Sequence, residues 1–173
     1  MNYPLFCQND SRWKFLKIPQ TNLTIGKYGC CICDLAMLSV FVGKKENPAT
    51  LLPKLSFYHG LIYWQSLTSF YQDIKFLKRK NNPSLGDIND SLKKGNPVIV
   101  KVNISKLPFR FIEHWIILWQ PVSTRDFIVG DPAKCRTASF NLLYGKQSKI
   151  YTAVFYQVLQ PVNRCKCCGQ IIQ

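Results

Sequence analysis

Long hydrophobic runs, internal repeats and low-complexity tracts are all missing from this 173-residue sequence. The longest apolar stretches contain Asp34 or end at Pro121, so none reaches the roughly 18–20 residues that a membrane-spanning helix needs. Residues 1–8 lack the basic and apolar blocks of a secretory signal. We therefore expect a cytoplasmic protein with no membrane span. The abundance of lysine, isoleucine and asparagine is typical of an AT-rich genome, which fits a bacterium and a phage or virus that acts in the host cell equally.

Acidic residues are also scarce, at 9 against 23 lysines and arginines, which gives a net charge of +14. Such an excess favours an acidic protein, an acidic lipid surface or nucleic acid as a neighbour and says nothing about the fold. The basic residues are dispersed, with small clusters only at 44–45, 75–80 and 93–94, and no known nucleic-acid-binding motif accompanies them. A solvated basic surface is the simpler interpretation. An acidic partner stays open, and nucleic acid is less favoured.

The chain has a hydrophobic content of 47%, of which aromatic residues form a large part, at 13% of the chain. This is enough for one well-buried core in a single domain. We expect that domain over residues 1–162, followed by a cysteine-rich tail over 163–173.

The hydrophobic pattern predicts helices in the first half of the chain and strands in the second. Helices are expected over 30–42, 47–54, 64–70 and 84–94. Four strands of one mostly antiparallel sheet are expected over 97–104, 114–122, 126–130 and 151–159. The helix 30–42 is apolar almost all round, which is typical of a central buried helix. Helices followed by strands predict an α+β fold with segregated layers.

The eight cysteines are Cys7, Cys30, Cys31, Cys33, Cys135, Cys165, Cys167 and Cys168. Without a secretory signal, we expect thiols, metal ligands or a nucleophile rather than disulfides. The three tail cysteines are a weak metal signal, because a structural zinc site takes four ligands, usually from two separate pairs. The second pair is missing unless Cys7 or Cys135 contributes. We expect a reactive tail, no metal and no cofactor.

Cys30 follows Gly29 at the start of the predicted buried helix, where unpaired N–H groups and the helix dipole favour a thiolate. Its general base would have to be one of only two histidines, His59 or His114. His59 lies in a predicted loop, whereas His114 begins an apolar strand. Asp131 ends the next strand, and a short turn at 123–125 would bring it back beside His114. Taken singly, each residue also fits a structural role, as a buried small apolar side chain, a structural histidine or a turn aspartate.

The order of several short motifs resembles papain-like cysteine peptidases, and in particular the bacteriocin-processing (double-glycine leader) peptidase-like family with its bacterial and phage members. The motifs are Gln8-Asn9-Asp10-x-x-Trp13, Thr24-Ile25-Gly26-Lys27-Tyr28-Gly29-Cys30, Asn47-Pro48, Gly95-Asn96-Pro97-Val98-Ile99-Val100, His114-Trp115 and Asp131-Pro132. They extend over roughly residues 5 to 133 and leave only the cysteine tail clearly outside.

The resemblance implies a papain-like α+β fold in which N-terminal helices, with the nucleophile helix among them, pack on a mostly antiparallel sheet. It implies that Cys30 is the nucleophile, His114 the general base, and Asp131 the residue that orients and stabilises the imidazole. Gln8 would donate its amide N–H to the oxyanion together with the backbone N–H of Cys30. Trp13 would be a packing residue.

The first turn of the nucleophile helix departs from the family pattern, because Cys31, Cys33 and Asp34 replace small or hydroxyl residues. Cys33 and Asp34 lie on the same helix face as Cys30, and a carboxylate there would disfavour the thiolate. Cys31 makes the identity of the nucleophile ambiguous, and neighbouring thiols invite oxidation.

The resulting hypothesis is a cysteine peptidase or amidase that cleaves a peptide or isopeptide bond of a peptide or protein substrate through a thioester. The alternative is a catalytically silent papain-like binding domain, whose basic surface holds an acidic protein or nucleic acid. Acyl transfer to an amine stays open as well, since one triad serves both transfer and hydrolysis.

Overall fold

The structure is a computed structural model that describes residues 3–105 and 109–159. The helices are α1 (Ile25–Tyr28), α2 (Cys30–Phe41), α3 (Pro48–Leu51), α4 (Ser66–Phe70), α5 (Leu85–Lys93) and α6 (Phe140–Tyr144). The strands are β1 (Phe57–Tyr58), β2 (Leu61–Ile62), β3 (Ile74–Asn81), β4 (Val98–Asn103), β5 (Glu113–Ser123), β6 (Asp126–Asp131), β7 (Arg136–Ser139) and β8 (Ile150–Val158). None of the helices in these two segments is both long and apolar enough to cross a membrane.

Six strands form one sheet in the order β3-β8-β4-β5-β6-β7, and every neighbouring pair is antiparallel. Strands β1 and β2 form a separate two-stranded hairpin. Alternation along β5 divides the core in two. Ile117 faces the cluster that contains the apolar residues of α2, whereas Ile116 and Leu118 face the cluster that contains Ile88 of α5 and Phe140 of α6. The sheet thus lies between two helical layers, and α2 packs directly on β5.

The α+β class is confirmed, but the layer arrangement differs from the expectation of segregated layers. The four predicted strands correspond to β4, β5, β6 and β8, and the predicted helices correspond to α2, α3, α4 and α5. Helix α3 begins with Asn47 as its N-cap and continues into a 3-10 turn over Leu52–Lys54, where Pro53 interrupts the regular helix. Because α5 and α6 pack on the face of the sheet opposite α2, helices cover both faces of the sheet.

Two strands of the main sheet, β3 and β7, and the short helix α6 were absent from the sequence-based prediction. Strand β3 is a sheet edge with the sequence Ile-Lys-Phe-Leu-Lys-Arg-Lys-Asn, in which most side chains are exposed. Lysines and arginines are depleted in central strands and common on edges, where they discourage pairing with other chains. Strand β7 is the opposite edge and has only four residues.

The expectation of free thiols is wrong for Cys7 and Cys135, which form a disulfide across 128 residues of sequence. Their Cα atoms are 4.7 Å apart, within the range that a disulfide spans. The two segments are brought together by the fold, since the backbone N–H of Gln8 donates to the carbonyl of Pro132 at 2.9 Å. These two cysteines are therefore not available as ligands for a metal shared with Cys165, Cys167 and Cys168, which lie outside the described residues.

Removing this cross-link is expected to destabilise the domain. The double variant Cys7→Ser with Cys135→Ser should lose about 2–4 kcal/mol of unfolding free energy, because the unfolded chain regains the freedom that the bond removes. Urea unfolding followed by tryptophan fluorescence measures this difference. Reduced wild-type protein serves as the control and should match the double variant. An unchanged midpoint after complete, mass-verified reduction of this bond would contradict the prediction.

Candidate active site

Cys30 is the first residue of α2, and its position depends on the tight junction between α1 and α2. Gly29 joins the two helices, and a Cβ there would lie 2.6 Å from the carbonyl oxygen of Ile25, so only glycine fits. The N–H groups of the first helical turn have no intrahelical acceptor and leave a partial positive charge at Cys30. Cys30 and the adjacent Cys31 are partly exposed, whereas the residues from Ile32 to Ser39 are buried.

His114 and Asp131 are brought together by the hairpin of β5 and β6. Gly130 lies opposite Ile117 in this hairpin, so the next residue, Asp131, is level with Ile116 at the end of β6. His114 precedes Ile116 by two residues in β5, and residues two apart in a strand lie on the same face of the sheet. The Nε2 atom of His114 is 2.8 Å from Oδ1 of Asp131. Both side chains are buried. The second ring nitrogen, Nδ1, is left for the thiol of Cys30, whose negative charge and hydrogen bonding favour the charged imidazole and raise its pKa.

Asp131 is held by four donors, so its orientation does not depend on His114 alone. Besides the imidazole, Oδ1 accepts the backbone N–H groups of Ala133 at 2.9 Å and Lys134 at 3.1 Å. Oδ2 accepts the hydroxyl of Tyr144 in α6. Tyr144 was missed by the sequence analysis because it lies in a short helix that the hydrophobic pattern did not reveal. The hydroxyl of Tyr144 donates to a carboxylate 13 residues earlier in the sequence, and no local pattern indicates this contact.

The Cys30 thiol is surrounded by groups that favour its ionised form. The hydrogen bond from the Cys31 thiol is the largest influence, followed on the same side by the hydrogen bond and positive charge of His114 and by the backbone N–H of Trp115. Together they outweigh burial and hold the pKa of Cys30 well below the usual value for a thiol. For Cys31 and Cys33 burial is instead the largest influence, and the pKa of both thiols is raised well above that value. Cys30 is thus the thiol of this helix that ionises first.

His114 is the matching cation. Burial opposes its positive charge, but hydrogen bonds to Asp131 and Cys30 outweigh burial and raise its pKa to about 10. Burial likewise raises the pKa of Asp131, whereas its bonds to His114 and Tyr144 lower it, and the net shift is downward. The arrangement therefore favours a thiolate at Cys30, an imidazolium at His114 and a carboxylate at Asp131. This is the charge pattern of an activated cysteine nucleophile.

Gln8 lies beside both halves of the site. Its backbone N–H binds the carbonyl of Pro132, next to Asp131, and its Nε2 donates to the carbonyl of Gly26 at 3.0 Å, four residues before Cys30. An amide nitrogen has two hydrogens, so one remains for another acceptor. The oxygen Oε1 of Gln8 is buried without a hydrogen-bond partner among the described residues. Trp13 of the same motif is 2% exposed and donates to the carbonyl of Cys7, as expected of a packing residue.

Asp34 departs from the family pattern, and its carboxylate was expected to disfavour the thiolate of Cys30. The side chain is fully buried, with 0% exposure. Neither carboxyl oxygen has a hydrogen-bond partner within the described segments. Burial, followed by the negative charge of Cys30, raises the pKa of Asp34 well above its usual range. A buried carboxyl group without a partner keeps its proton, since neutralisation costs less than an isolated internal charge. The expected repulsion between Asp34 and the thiolate is therefore absent.

His59 does not belong to this group. It lies exposed in the turn between β1 and β2 with a φ of 47° and packs edge-on against Tyr58. Its backbone N–H donates to Oε1 of Gln20. In the two described segments, no group of three or more histidine, cysteine or acidic side chains is placed to hold a metal ion. Of the predicted residues, the structure thus brings together Cys30, His114 and Asp131, with Gln8 alongside.

The ion pair of Cys30 and His114 gives the site a definite pH dependence. The thiolate persists as pH falls until the lowered pKa of Cys30 is reached, and the imidazolium persists as pH rises to about 10. Alkylation of Cys30 by iodoacetamide should therefore stay fast well below pH 8, whereas a free thiol with a pKa of about 8.5 loses about tenfold in rate per pH unit there.

His114→Ala should shift the acid fall-off of alkylation at Cys30 to higher pH, and His59→Ala should leave the wild-type profile unchanged. The rate is measured on the peptide that contains Cys30 after rapid quenching and digestion. A wild-type profile that already follows that of a free thiol would contradict the ion pair.

If Asp34 is neutral, its substitution by asparagine should not affect the ionisation of Cys30. Asp34→Asn replaces one uncharged side chain by another of nearly the same shape, so the pH midpoint for alkylation of Cys30 should not move. An ionised Asp34 would give the opposite result, since removing a negative charge shifts that midpoint to lower pH. The exposed Asp90→Asn variant is the same substitution at the protein surface and serves as the control.

Comparison with known proteins supports the architecture. The sequence matches no protein-family model and no curated protein. Among solved structures, the chain is similar to the peptidase domain of Streptococcus ComA, a bifunctional ABC transporter involved in a quorum-sensing pathway. The TM-score is 0.58 at 17% identity, with 91% of this chain and 100% of that domain covered. It is also similar to a protein described as a C39-like peptidase from Bacillus anthracis, with a TM-score of 0.52, 14% identity and coverage of 89% and 94%. The chain therefore has the papain-like fold of C39 peptidase domains.

Proposed function

We propose that this protein is a cysteine peptidase or amidase that cleaves a peptide or isopeptide bond through a thioester on Cys30. One observation supports the proposal above all others. A buried imidazole stands between a carboxylate, at 2.8 Å, and a partly exposed thiol at a helix N-terminus. Three groups in this order form a nucleophile, its base and the residue that orients the base.

In the proposed reaction, the thiolate of Cys30 attacks the carbonyl carbon of the scissile bond and forms a tetrahedral oxyanion. The second N–H of the Gln8 side chain and the backbone N–H of Cys30 are the donors proposed for that oxygen. The imidazolium of His114 then protonates the leaving amine, and the thioester forms as the C–N bond breaks. His114, now neutral, takes a proton from water, whose oxygen attacks the thioester and releases the acid and the thiolate.

The contribution of Asp131 is to hold Nε2–H of His114, so that Nδ1 faces the thiol and the charged imidazole is stabilised. Tyr144 and the N–H groups of Ala133 and Lys134 fix the carboxylate for that task. The substrate is proposed to be a peptide or a protein. A bound amine in place of water would give acyl transfer, so product analysis with an added primary amine distinguishes the two reactions.

The alternative of a catalytically silent binding domain rests on the net charge of +14 and on the carboxylate at Asp34. The first of these observations stands, and the basic edge strand β3 is an example of it. The second loses its force when Asp34 is neutral. Binding to an acidic protein or to nucleic acid that weakens steeply with salt, without any turnover, would favour this alternative.

The proposal is tested with a thiol-directed peptide vinyl sulfone and with a pool of random peptides. Cys30→Ala should abolish modification by the probe, and it should reduce peptide cleavage by at least about 10³-fold, as expected when a nucleophile is removed. His114→Ala should strongly slow both. Cleavage is detected as new peptide termini by mass spectrometry.

Two neighbouring variants are the controls. His59→Ala removes the other histidine and should keep modification and cleavage at the wild-type level. Cys31→Ala removes the adjacent thiol and should still be modified at Cys30, although more slowly, because a group that lowers the pKa of Cys30 is gone. Equal labelling of the Cys30→Ala and wild-type proteins would overturn the assignment of the nucleophile. Labelling at Cys30 without any cleavage of the pool would favour the silent domain.

A further inference from the structure

Helix α2 contains a second thiol that the proposed reaction does not use. Cys30 and Cys33 are three residues apart in the first turn of this 12-residue helix, and both are free thiols. Residues at this spacing lie on the same helix face, with Cβ atoms about 5–6 Å apart. The separation of their Cα atoms in a helix falls in the range of about 4.4–6.8 Å that disulfides span.

The two thiols differ in exposure. Cys30 is partly exposed at the helix start, whereas Cys33 is 0% exposed and packs among the apolar residues of the core. A soluble oxidant therefore meets Cys30 first. Cys33 lies one turn below it, out of contact with solvent, where a second thiol can react only with a group already formed on Cys30.

Cys31 is the competing partner, since it is adjacent to Cys30, is also a free thiol and is also partly exposed. Adjacent residues of a helix point in directions about 100° apart. A disulfide between them also closes a small ring through one peptide bond, which helical backbone angles do not permit. The Cys30–Cys33 bond, in contrast, closes around one helical turn. At this turn the N–H groups of Cys30 and Cys31 are not tied to carbonyls within α2.

We propose that Cys30 and Cys33 form a reversible oxidation site for peroxides, in which a disulfide takes the nucleophile out of action. The consequence for activity rests on the proposed function, whereas the disulfide itself does not. The Cys30 thiolate attacks a peroxide oxygen, the O–O bond breaks, and sulfenic acid forms with release of hydroxide or alkoxide. The Cys33 thiol then attacks the sulfenic sulfur, the S–S bond forms, and water leaves. A dithiol reductant returns both thiols and is itself oxidised to a disulfide.

This chemistry protects the site. A thiolate that is activated for attack on a carbonyl is also easily oxidised, and the sulfinic and sulfonic acids that follow the sulfenic acid are not reversed by thiols. Capture of the sulfenic acid by Cys33 stops oxidation at a stage that a dithiol can repair. Cys33 is therefore assigned the role of a resolving thiol.

The test uses the full chain, hydrogen peroxide as the oxidant and dithiothreitol as the reductant. Trypsin releases residues 28–44 as one peptide that contains Cys30, Cys31 and Cys33 but none of the other five cysteines. After oxidation and alkylation of the remaining thiols, the wild-type peptide should lack two hydrogen atoms and have one alkylated thiol. Dithiothreitol should restore three alkylatable thiols.

Two serine variants identify the partner. Cys31→Ser should still form the disulfide, with no alkylatable thiol left in the peptide. Cys33→Ser should form none and should instead accumulate sulfinic or sulfonic acid at Cys30 that dithiothreitol does not remove. Cys33→Ala, together with alkylation of Cys30 before oxidation, verifies that the buried substitution leaves the first turn intact. A disulfide that persists without Cys33, or that disappears without Cys31, would overturn the proposal.

The mass readout is independent of peptide cleavage, so the two proposals fail separately. A reversible Cys30–Cys33 bond in a protein that cleaves no peptide would contradict the proposed function alone. Peptide cleavage by a protein that reaches only irreversible oxidation at Cys30 would contradict the oxidation site alone.

Discussion

The packing of helix α2 on strand β5 is the constraint on which the rest of the site depends. Helix α2 places the thiol of Cys30 at its N-terminus. The sheet places His114 near the start of β5 and Asp131 at the adjoining end of β6. Close approach is possible because Gly130 of β6 has no side chain, since a Cβ there would lie 3.0 Å from Nε1 of Trp119 and 3.4 Å from Sδ of Met37. A Cβ at this position would force Trp119, Ile117 or Met37 to shift by a few tenths of an ångström.

Burial gives the polar groups of this site more effect than they would have at the surface. Exposed ion pairs contribute little, because water and salt screen them. Here Asp131 is fully buried and His114 nearly so, and each finds its partners within the protein. Removal of one partner would leave the other charge buried, which is strongly destabilising. Asp34 avoids a buried charge in another way, because a carboxyl group without a cation or hydrogen-bond donor stays protonated.

The parts of the site that could be predicted from sequence are those whose signal is local. Cys30 follows a glycine at the start of an apolar helix, and the strands that bear His114 and Asp131 are joined by a short turn, so their adjacency follows from hairpin geometry. The disulfide of Cys7 with Cys135 and the bond of Tyr144 to Asp131 leave no such signal. Both depend on segments that meet only after the sheet has formed. The edge strand β3 was missed because its lysines are typical of exposed segments.

The Gly29–Cys33 segment contains the residues of both proposed reactions, attack on a carbonyl carbon and oxidation by a peroxide. The features that ionise Cys30, namely the helix N-terminus, the imidazolium of His114 and the Cys31 thiol, do not distinguish a carbonyl carbon from a peroxide oxygen. Activation for acyl transfer therefore exposes the same sulfur to oxidation. A buried thiol one turn away, kept protonated by its apolar surroundings, does not compete for substrate, because it is neither ionised nor accessible. In the proposed oxidation, it reacts only when Cys30 has been oxidised. The residues that depart from the family pattern at this turn are thus compatible with an active nucleophile and provide a means of preserving it.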